Sequence, residues 1–228
     1  MGVDLVLSSG FLAFAEQAGF LAAVEDEGVV VDALCGTSSG ALAGSLWLSG
    51  LSAEEVFELL CGRAPAAWLA PSPAPWRGLF GLRRVIAELS SKLPARFDGL
   101  SRPLGTGVVH QGRPELLTDG PLPEAVAASC AVPGLFHPVP IEGRVLADGG
   151  AADRTALDAW RGLRPNRQVV LHLVDSSRGA HDTGPVMLDD VMVCTSARSG
   201  ARLWSLGQAR ARFEHSRARA RRVLRSRR

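Results

Sequence analysis

Residues 29–48, VVVDALCGTSSGALAGSLWL, decide how this chain is read. Val29 to Cys35 is a short, nearly continuous apolar run of the kind found in strands buried on both faces of a parallel sheet. It passes without a spacer into Gly36-Thr37-Ser38-Ser39-Gly40, and Ala41 to Leu48 continues as a helix of small and apolar residues. The segment before it has the same order: Val3 to Leu7 is apolar, Ser8-Ser9-Gly10 breaks the run, and Leu12 to Glu27 has helical spacing. Two strand–turn–helix units in succession predict an α/β fold on a mainly parallel sheet.

Downstream, Ser52 and Glu55 form a capping box that starts a helix over Ala53 to Leu60. From Ala64 to Leu82 four prolines (Pro65, Pro71, Pro73, Pro75) alternate with Trp68, Leu69, Trp76, Leu79 and Phe80. This predicts a flap of loop and short helix rather than sheet, serving either as a greasy rim that meets lipid or as a cover over a core edge. Leu82 to Leu93 reads as helix, and Gly105 to His110 and Glu115 to Thr118 read as strands. Pro121 to Cys130 reads as a helix with proline in its first turn, where the missing N–H costs nothing. Val139-Pro140-Ile141 and Arg144-Val145-Leu146 flank Glu142-Gly143 as a hairpin that leads into Asp148-Gly149-Gly150. Gln168 to Asp175 is the last expected strand, and helix is expected from about Thr195 onward.

With 228 residues, 46 % hydrophobic and 21 % charged, the composition is that of one globular core and excludes a disordered chain or a membrane bundle. The net charge of +2 hides an asymmetry, because eleven arginines fall between Arg198 and Arg228 against one acidic residue, Glu214. Cys35, Cys61, Cys130 and Cys194 lie far apart with no CxxC pair and no ligand-like spacing to histidine, so buried free thiols are expected, with no metal and no cofactor. Met1 to Gly10 lacks a basic region followed by an apolar run and cleavage site, and no stretch approaches a membrane span. A cytoplasmic protein is expected, with membrane contact only from the side.

Ser38, with Gly36 and Gly40 two residues to either side, fits a nucleophile elbow. A hydroxyl must stand at the tip of a sharp turn, and small residues let neighbouring backbone pass close by. The following helix aims its unpaired N–H groups and positive dipole end at the same point. The same pattern also suits a small-residue strand–helix turn with no chemistry. A serine nucleophile needs a base. None of the histidines (His110, His137, His172, His181, His215) carries a local signature for that role, and Ser38 comes too early in the chain for the usual α/β-hydrolase order. Asp148 lies between an apolar hairpin and Gly149-Gly150, where nothing crowds its approach to another turn. A Ser38–Asp148 dyad is one reading of it, and a DGG turn closing a hairpin is the other.

Three ordered blocks carry a resemblance that these single motifs do not. Leu7 to Gly28 (LSSGFLAFAEQAGFLAAVEDEG), GTSSGAL, and Ser129 to Gly150 (SCAVPGLFHPVPIEGRVLADGG) resemble the three motif blocks of the patatin-like phospholipases. The resemblance implies a three-layer α/β/α sandwich with a mainly parallel central sheet, Ser38 as nucleophile and Asp148 as base. It implies oxyanion donors at the N–H groups of Gly10, Phe11 and Ser39, and a lipid or phospholipid substrate. One departure stands out: where the family reads GGG-x-R/K-G, this chain reads Ser9-Gly10-Phe11-Leu12-Ala13-Phe14, and asparagine after the DGG is replaced by Asp153. A catalytically weak or inactive lipid- or membrane-binding protein on the same fold, or an acyltransferase in which an alcohol replaces water, are the alternatives. The expected organisation is a hydrolase domain over 1–197 and an Arg-rich helical tail over 198–228. That tail, with Leu206, Ala209 and Phe213 on one face, suits either an anionic membrane surface or packing on the body; no specific nucleic acid is expected.

Overall fold

A computed structural model describes residues 2–72, 74–175 and 190–226. The chain runs β1 (Val3–Leu7), α1 (Phe14–Asp26), β2 (Val31–Thr37), α2 (Ser39–Leu48) and α3 (Ala53–Cys61). It continues through β3 (Ala70–Pro71), β4 (Phe80–Gly81), α4 (Arg83–Ser90), β5 (Leu104–His110), β6 (Arg113–Leu117) and α5 (Leu122–Ser129). It closes with β7 (Val139–Ile141), β8 (Arg144–Asp148), α6 (Leu157–Leu163), β9 (Val169–Val174), β10 (Val191–Ser196) and α7 (Ala209–Arg225).

The main sheet has eight strands in the order β10-β9-β1-β2-β5-β8-β7, with β6 on β5. The strands from β10 to β5 are mutually parallel, β6 and β8 pair antiparallel with β5, and β7 pairs antiparallel with β8. Alternation along each strand divides the core. Leu5 and Leu7 of β1 and Leu34 of β2 join the large core beneath α1, α2, α3, α5 and α7. Val6, Ala33 and Cys35 point the other way, into a smaller core closed by Leu157 and Trp160 of α6. Both faces are covered, so the central strands are apolar throughout and the architecture is the expected three-layer α/β/α sandwich.

The Ser52–Glu55 capping box is present in full at the start of α3. Three elements differ from the sequence expectations. Val191 to Ser196 is an edge strand pairing with β9, and the final helix begins only at Ala209. A short apolar run such as Val191-Met192-Val193-Cys194 suits a strand or a buried helix turn equally, and pairing with β9 decides between them. The seven-residue α6 gave no periodic signal long enough to recognise. The proline-rich flap has its two short 3-10 turns, Pro65–Trp68 and Pro75–Arg77, but also a two-strand ribbon, with Ala70–Pro71 pairing Phe80–Gly81.

Helix α7 lies on α1. Phe213 is fully buried, and a Cβ on Gly19 would stand 2.2 Å from the Phe213 carbonyl oxygen, so the two backbones touch where glycine permits it. Ser216 Oγ donates to Glu16 O, and Ser216, Ser196, His172 and Gln17 form a buried hydrogen-bonded chain through α7, β10, β9 and α1. Deleting the Phe213 ring leaves a cavity at this seam. Phe213→Ala is expected to cost about 3–5 kcal/mol in urea denaturation, whereas Arg222→Ala, on the exposed side of the same helix, stays within about 0.5 kcal/mol.

Candidate active site

The site is made by the way strands meet on β5. Thr106 and Gly107 pair with β2 on one edge and β6 on the other, while Val108 to His110 pair with β6 and β8. β2 and β8 therefore lie on the same edge of β5, end to end. Because β2 is parallel and β8 antiparallel to β5, they run towards each other. Thr37 is paired with Gly107 and Asp148 with Val108, so the two strand ends face across one residue step of β5. Ser38 and Asp148, 110 positions apart in the chain, arrive at one point.

Ser38 sits at φ 53°, ψ −118°, a conformation that ordinarily costs a side-chain-bearing residue about 1–3 kcal/mol. Its backbone N–H donates to Ser129 Oγ at 2.8 Å, and Ser129 Oγ in turn donates to Gly107 O at 2.6 Å. The serine that ends α5 thus ties the turn to β5. The glycines of both motifs are close-approach positions. A Cβ on Gly40 would lie 2.2 Å from Leu7 O and one on Gly36 would lie 2.6 Å from Ala41 N. After β8, a Cβ on Gly149 would lie 2.5 Å from Gly107 O and one on Gly150 would lie 2.6 Å from Ser9 Oγ.

Ser38 Oγ donates to Asp148 Oδ2 at 2.8 Å, and Gly150 N–H donates to Asp148 Oδ1 at 2.7 Å. Asp148 is buried, and burial raises its pKa to about 6, the hydrogen bonds from Ser38 and Gly150 holding it below where burial alone would take it. No described histidine reaches Ser38. His172 is buried against Phe20 and bonded to Gln17 and Ser196, and burial pushes its pKa down to about 3. His110 pairs with Glu115, His137 with Ser72 in the flap, and His215 is exposed on α7. His181 lies outside the described residues. All four cysteines are unpaired; Cys35 and Cys194 are buried, Cys61 and Cys130 half-buried. Cys130 borders the pocket beside Ser38, where burial raises its thiol pKa far above the ordinary range. Among the described residues no cluster of His, Cys, Asp and Glu is arranged to hold a metal ion.

The Ser8-Ser9-Gly10-Phe11 turn, which lacks most of the glycines expected at this place, is held by its surroundings. Ser9 N–H donates to Arg154 O at 2.7 Å, and the buried Arg154 guanidinium donates back to Ser9 O at 3.1 Å and to Val174 O. Gln17 Nε2 donates to Ser8 O at 2.7 Å. Gly10 packs so closely on Val174 and Ala13 that a Cβ would meet them at 3.0 Å or less. The N–H groups of Gly10 and Phe11 have no acceptor among the described residues. Ser39, as the first residue of α2, has no intrahelical acceptor either, and its Oγ is buried without a partner among the described residues. Ser129 and Arg154 are the site residues that sequence reasoning missed. Ser129 opens the third block but has no signature of its own, and Arg154 is one arginine among 24, marked only by its burial.

Ser38, Ser39, Gly10 and Phe11 are among the residues that line an apolar pocket. Leu42, Leu46, Leu89 and Phe136 form its walls, and Trp68 and Leu203 border it on the flap side.

Fold and site together define a serine-elbow α/β sandwich, and comparison with known proteins agrees. A family model for patatin-like phospholipase matches residues 5–160. The chain belongs to the patatin-like phospholipase family. An uncharacterized NTE family protein of Mycobacterium tuberculosis is 26 % identical over 196 residues, covering 80 % of this chain and 52 % of the relative. A lysophospholipase nte1 of Aspergillus fumigatus is 28 % identical over 176 residues, covering 71 % of this chain and 11 % of the relative. The chain therefore spans about half the length of the mycobacterial relative and about a tenth of the fungal one. Among solved structures, VipD of Legionella pneumophila superposes with a TM-score of 0.61 at 13 % identity, covering 99 % of this chain and 67 % of VipD. ExoU of Pseudomonas aeruginosa gives 0.52 at 15 %, covering 99 % of this chain and 52 % of ExoU. Both share its fold.

The raised Asp148 pKa has a consequence for stability. A carboxyl that holds its proton more tightly folded than unfolded contributes stability while protonated, and that contribution is lost as pH rises from about 4 to about 6. Asp148→Asn removes the buried charge, keeps the shape and still offers an acceptor to Gly150. It is expected to be more stable than the wild type at pH 8 by on the order of 2 kcal/mol, and no more stable at pH 4, in denaturant titrations at the two pH values.

Proposed function

We propose that this protein is a lipid acyl hydrolase of the phospholipase A, lysophospholipase or esterase type, working through Ser38 and Asp148. The observation that carries the reading is the 2.8 Å contact between the hydroxyl of Ser38, which lines an apolar pocket, and the buried Asp148 carboxylate. Family membership supports ester hydrolysis, and the pocket's apolar walls suit an acyl chain.

Ser38 Oγ attacks the ester carbonyl carbon while Asp148 takes its proton. Charge that develops on the carbonyl oxygen is met by the N–H groups of Gly10, Phe11 and Ser39, already oriented before the reaction begins. Collapse of the tetrahedral intermediate breaks the ester C–O bond, and Asp148 returns the proton to the departing alcohol. Water then attacks the acyl-Ser38 ester with Asp148 again as base, the bond from Ser38 Oγ to the acyl carbon breaks as Asp148 returns the proton to Ser38 Oγ, and the carboxylic acid leaves. With a pKa of about 6, Asp148 is mostly ionised at neutral pH yet remains basic enough to accept the serine proton. Backbone N–H groups serve as well from phenylalanine as from glycine, so the degenerate turn keeps its donors as long as Arg154 holds its course.

Purified protein is expected to release p-nitrophenol from medium-chain p-nitrophenyl esters and to label with a fluorophosphonate probe at Ser38. Ser38→Ala and Asp148→Asn are each expected to lose about 10³-fold or more in kcat/KM, while His110, His137, His172, His181 and His215 are each replaceable by alanine without loss of the chemical step. An essential histidine would overturn the dyad. Absence of both turnover and labelling would favour a binding protein that has lost its chemistry.

Because Asp148 acts as the base, its protonation switches the reaction off. The kcat/KM profile is expected to rise with pH to a plateau, with its midpoint near 6 set by Asp148. A flat profile between pH 5 and pH 8 would contradict the assignment.

A further inference from the structure

The pocket opens into a part of the surface unlike the rest of the molecule. Among the described residues every exposed aromatic side chain, Phe11, Trp76 and Trp204, lies on a segment that frames this pocket, with Trp76 83 % and Trp204 66 % accessible. Phe11 lines the pocket itself, and Trp204 follows Leu203, which lines it and whose carbonyl accepts from Ala66 N–H in the flap. Trp76 and the exposed Leu79 flank Gly78, whose backbone rests on Phe136 in the pocket wall. Such bulky exposure at a water-facing surface marks a contact site rather than ordinary surface.

The charges around these side chains indicate the partner. Between Gly62 and Leu93 the chain carries Arg63, Arg77, Arg83, Arg84 and Lys92 against one acidic residue, Glu88. All five cations are exposed, and none takes part in an ion pair among the described residues. The C-terminal helix, with more arginines, is in the opposite condition. Arg210 bridges Glu54 and Glu58, Arg212 pairs with Glu16, Arg217 with Asp26, and Arg221 and Arg225 share Glu27. Five of the seven α7 arginines are thus neutralised by α1 and α3, Arg219 donates to Thr195 Oγ1 and Arg222 is exposed, so only a small part of the arginine density of the sequence remains as free cationic surface there.

We propose that the flap and the Trp204 loop form the surface on which the protein docks to an anionic lipid bilayer, with the pocket mouth facing the membrane. Tryptophan and leucine enter the headgroup region, and the unpaired arginines and Lys92 meet anionic headgroups. A lipid then passes from the bilayer into the apolar pocket without crossing water. The choice of a lipid partner rests on the hydrolase reading above, but docking is measured separately from catalysis.

The test is co-sedimentation with phosphatidylcholine vesicles, with and without phosphatidylserine, beside turnover of a soluble short-chain p-nitrophenyl ester. The wild type is expected to bind and to prefer the phosphatidylserine vesicles. Trp76→Ala/Leu79→Ala/Trp204→Ala is expected to lower the vesicle-bound fraction about tenfold with soluble-ester turnover unchanged, and Arg77→Ala/Arg83→Ala/Arg84→Ala to abolish the phosphatidylserine preference. Arg222→Ala/Arg225→Ala on α7 should bind as the wild type does. Three results would each overturn the proposal: no vesicle binding by the wild type, undiminished binding by the rim variants, or loss of binding in the α7 variant. A concentration-dependent dimer dispersed by the rim substitutions, without vesicle binding, would assign the surface to a second copy of the chain instead. Vesicle binding with no ester turnover would leave docking standing and remove the hydrolase reading.

Discussion

The head-on approach of β2 and β8 along one edge of β5 is the constraint on which the site depends. Neither strand end alone has a distinctive chemistry: one carries a serine on a tight turn, the other an aspartate before two glycines. Register makes them a pair. Pairing Thr37 with Gly107 and Asp148 with Val108 leaves one residue step between the strand ends, and Ser129 bridges the elbow to that same step through Gly107 O. A shift of either strand by one residue would turn its side chains to the opposite face and separate the hydroxyl from the carboxylate.

Around that contact the fold tolerates several unfavourable features. Ser38 is held at a positive φ, Asp148 is buried with its charge, and the glycines of both turns allow backbones to come within distances a side chain would forbid. Strain and desolvation of this kind persist only where the surroundings over-determine them. Here the surroundings are an eight-stranded sheet covered on both faces, with β1, β2 and β5 at its centre. The Ser9-Gly10-Phe11 turn shows the same logic in a segment that departs from its family. Two of the three glycines and the basic residue are missing, but a buried arginine from the far side of the Asp148 turn grips the backbone from both its N–H and its carbonyl side. The Asp148 turn and the Ser9-Gly10-Phe11 turn are thereby fastened to each other as well as to the sheet.

The C-terminal arginines show how an electrostatic reading of composition changes once partners are placed. Read along the chain they form a cationic tail. In three dimensions much of their charge is spent on Glu16, Asp26, Glu27, Glu54 and Glu58, acidic residues from a distant part of the sequence, and the apolar stripe that includes Phe213 is buried against α1. The sparser arginines of the flap and the helix after it, Arg63, Arg77, Arg83 and Arg84, are exposed near Trp68 and Trp76 and have no ion pair among the described residues.

Much of the architecture was legible because it rests on local rules. The apolar runs of β1 and β2, the capping box at Ser52, the hairpin before Asp148 and the crowded glycines at 36 and 40 each state their conformation within a few residues. Strand β10 and helix α6 did not, since a six- or seven-residue segment takes its form from the neighbour it packs on. By itself the sequence determined the α/β class, the elbow at Ser38 and the turn at Asp148, because periodicity and glycine placement act over short distances. Only the tertiary structure decided that the serine and the aspartate touch, that Ser129 and Arg154 hold their turns, and which arginines remain unpaired. Those are relations between residues far apart in the chain, and strand register and helix packing, which no local pattern encodes, set them.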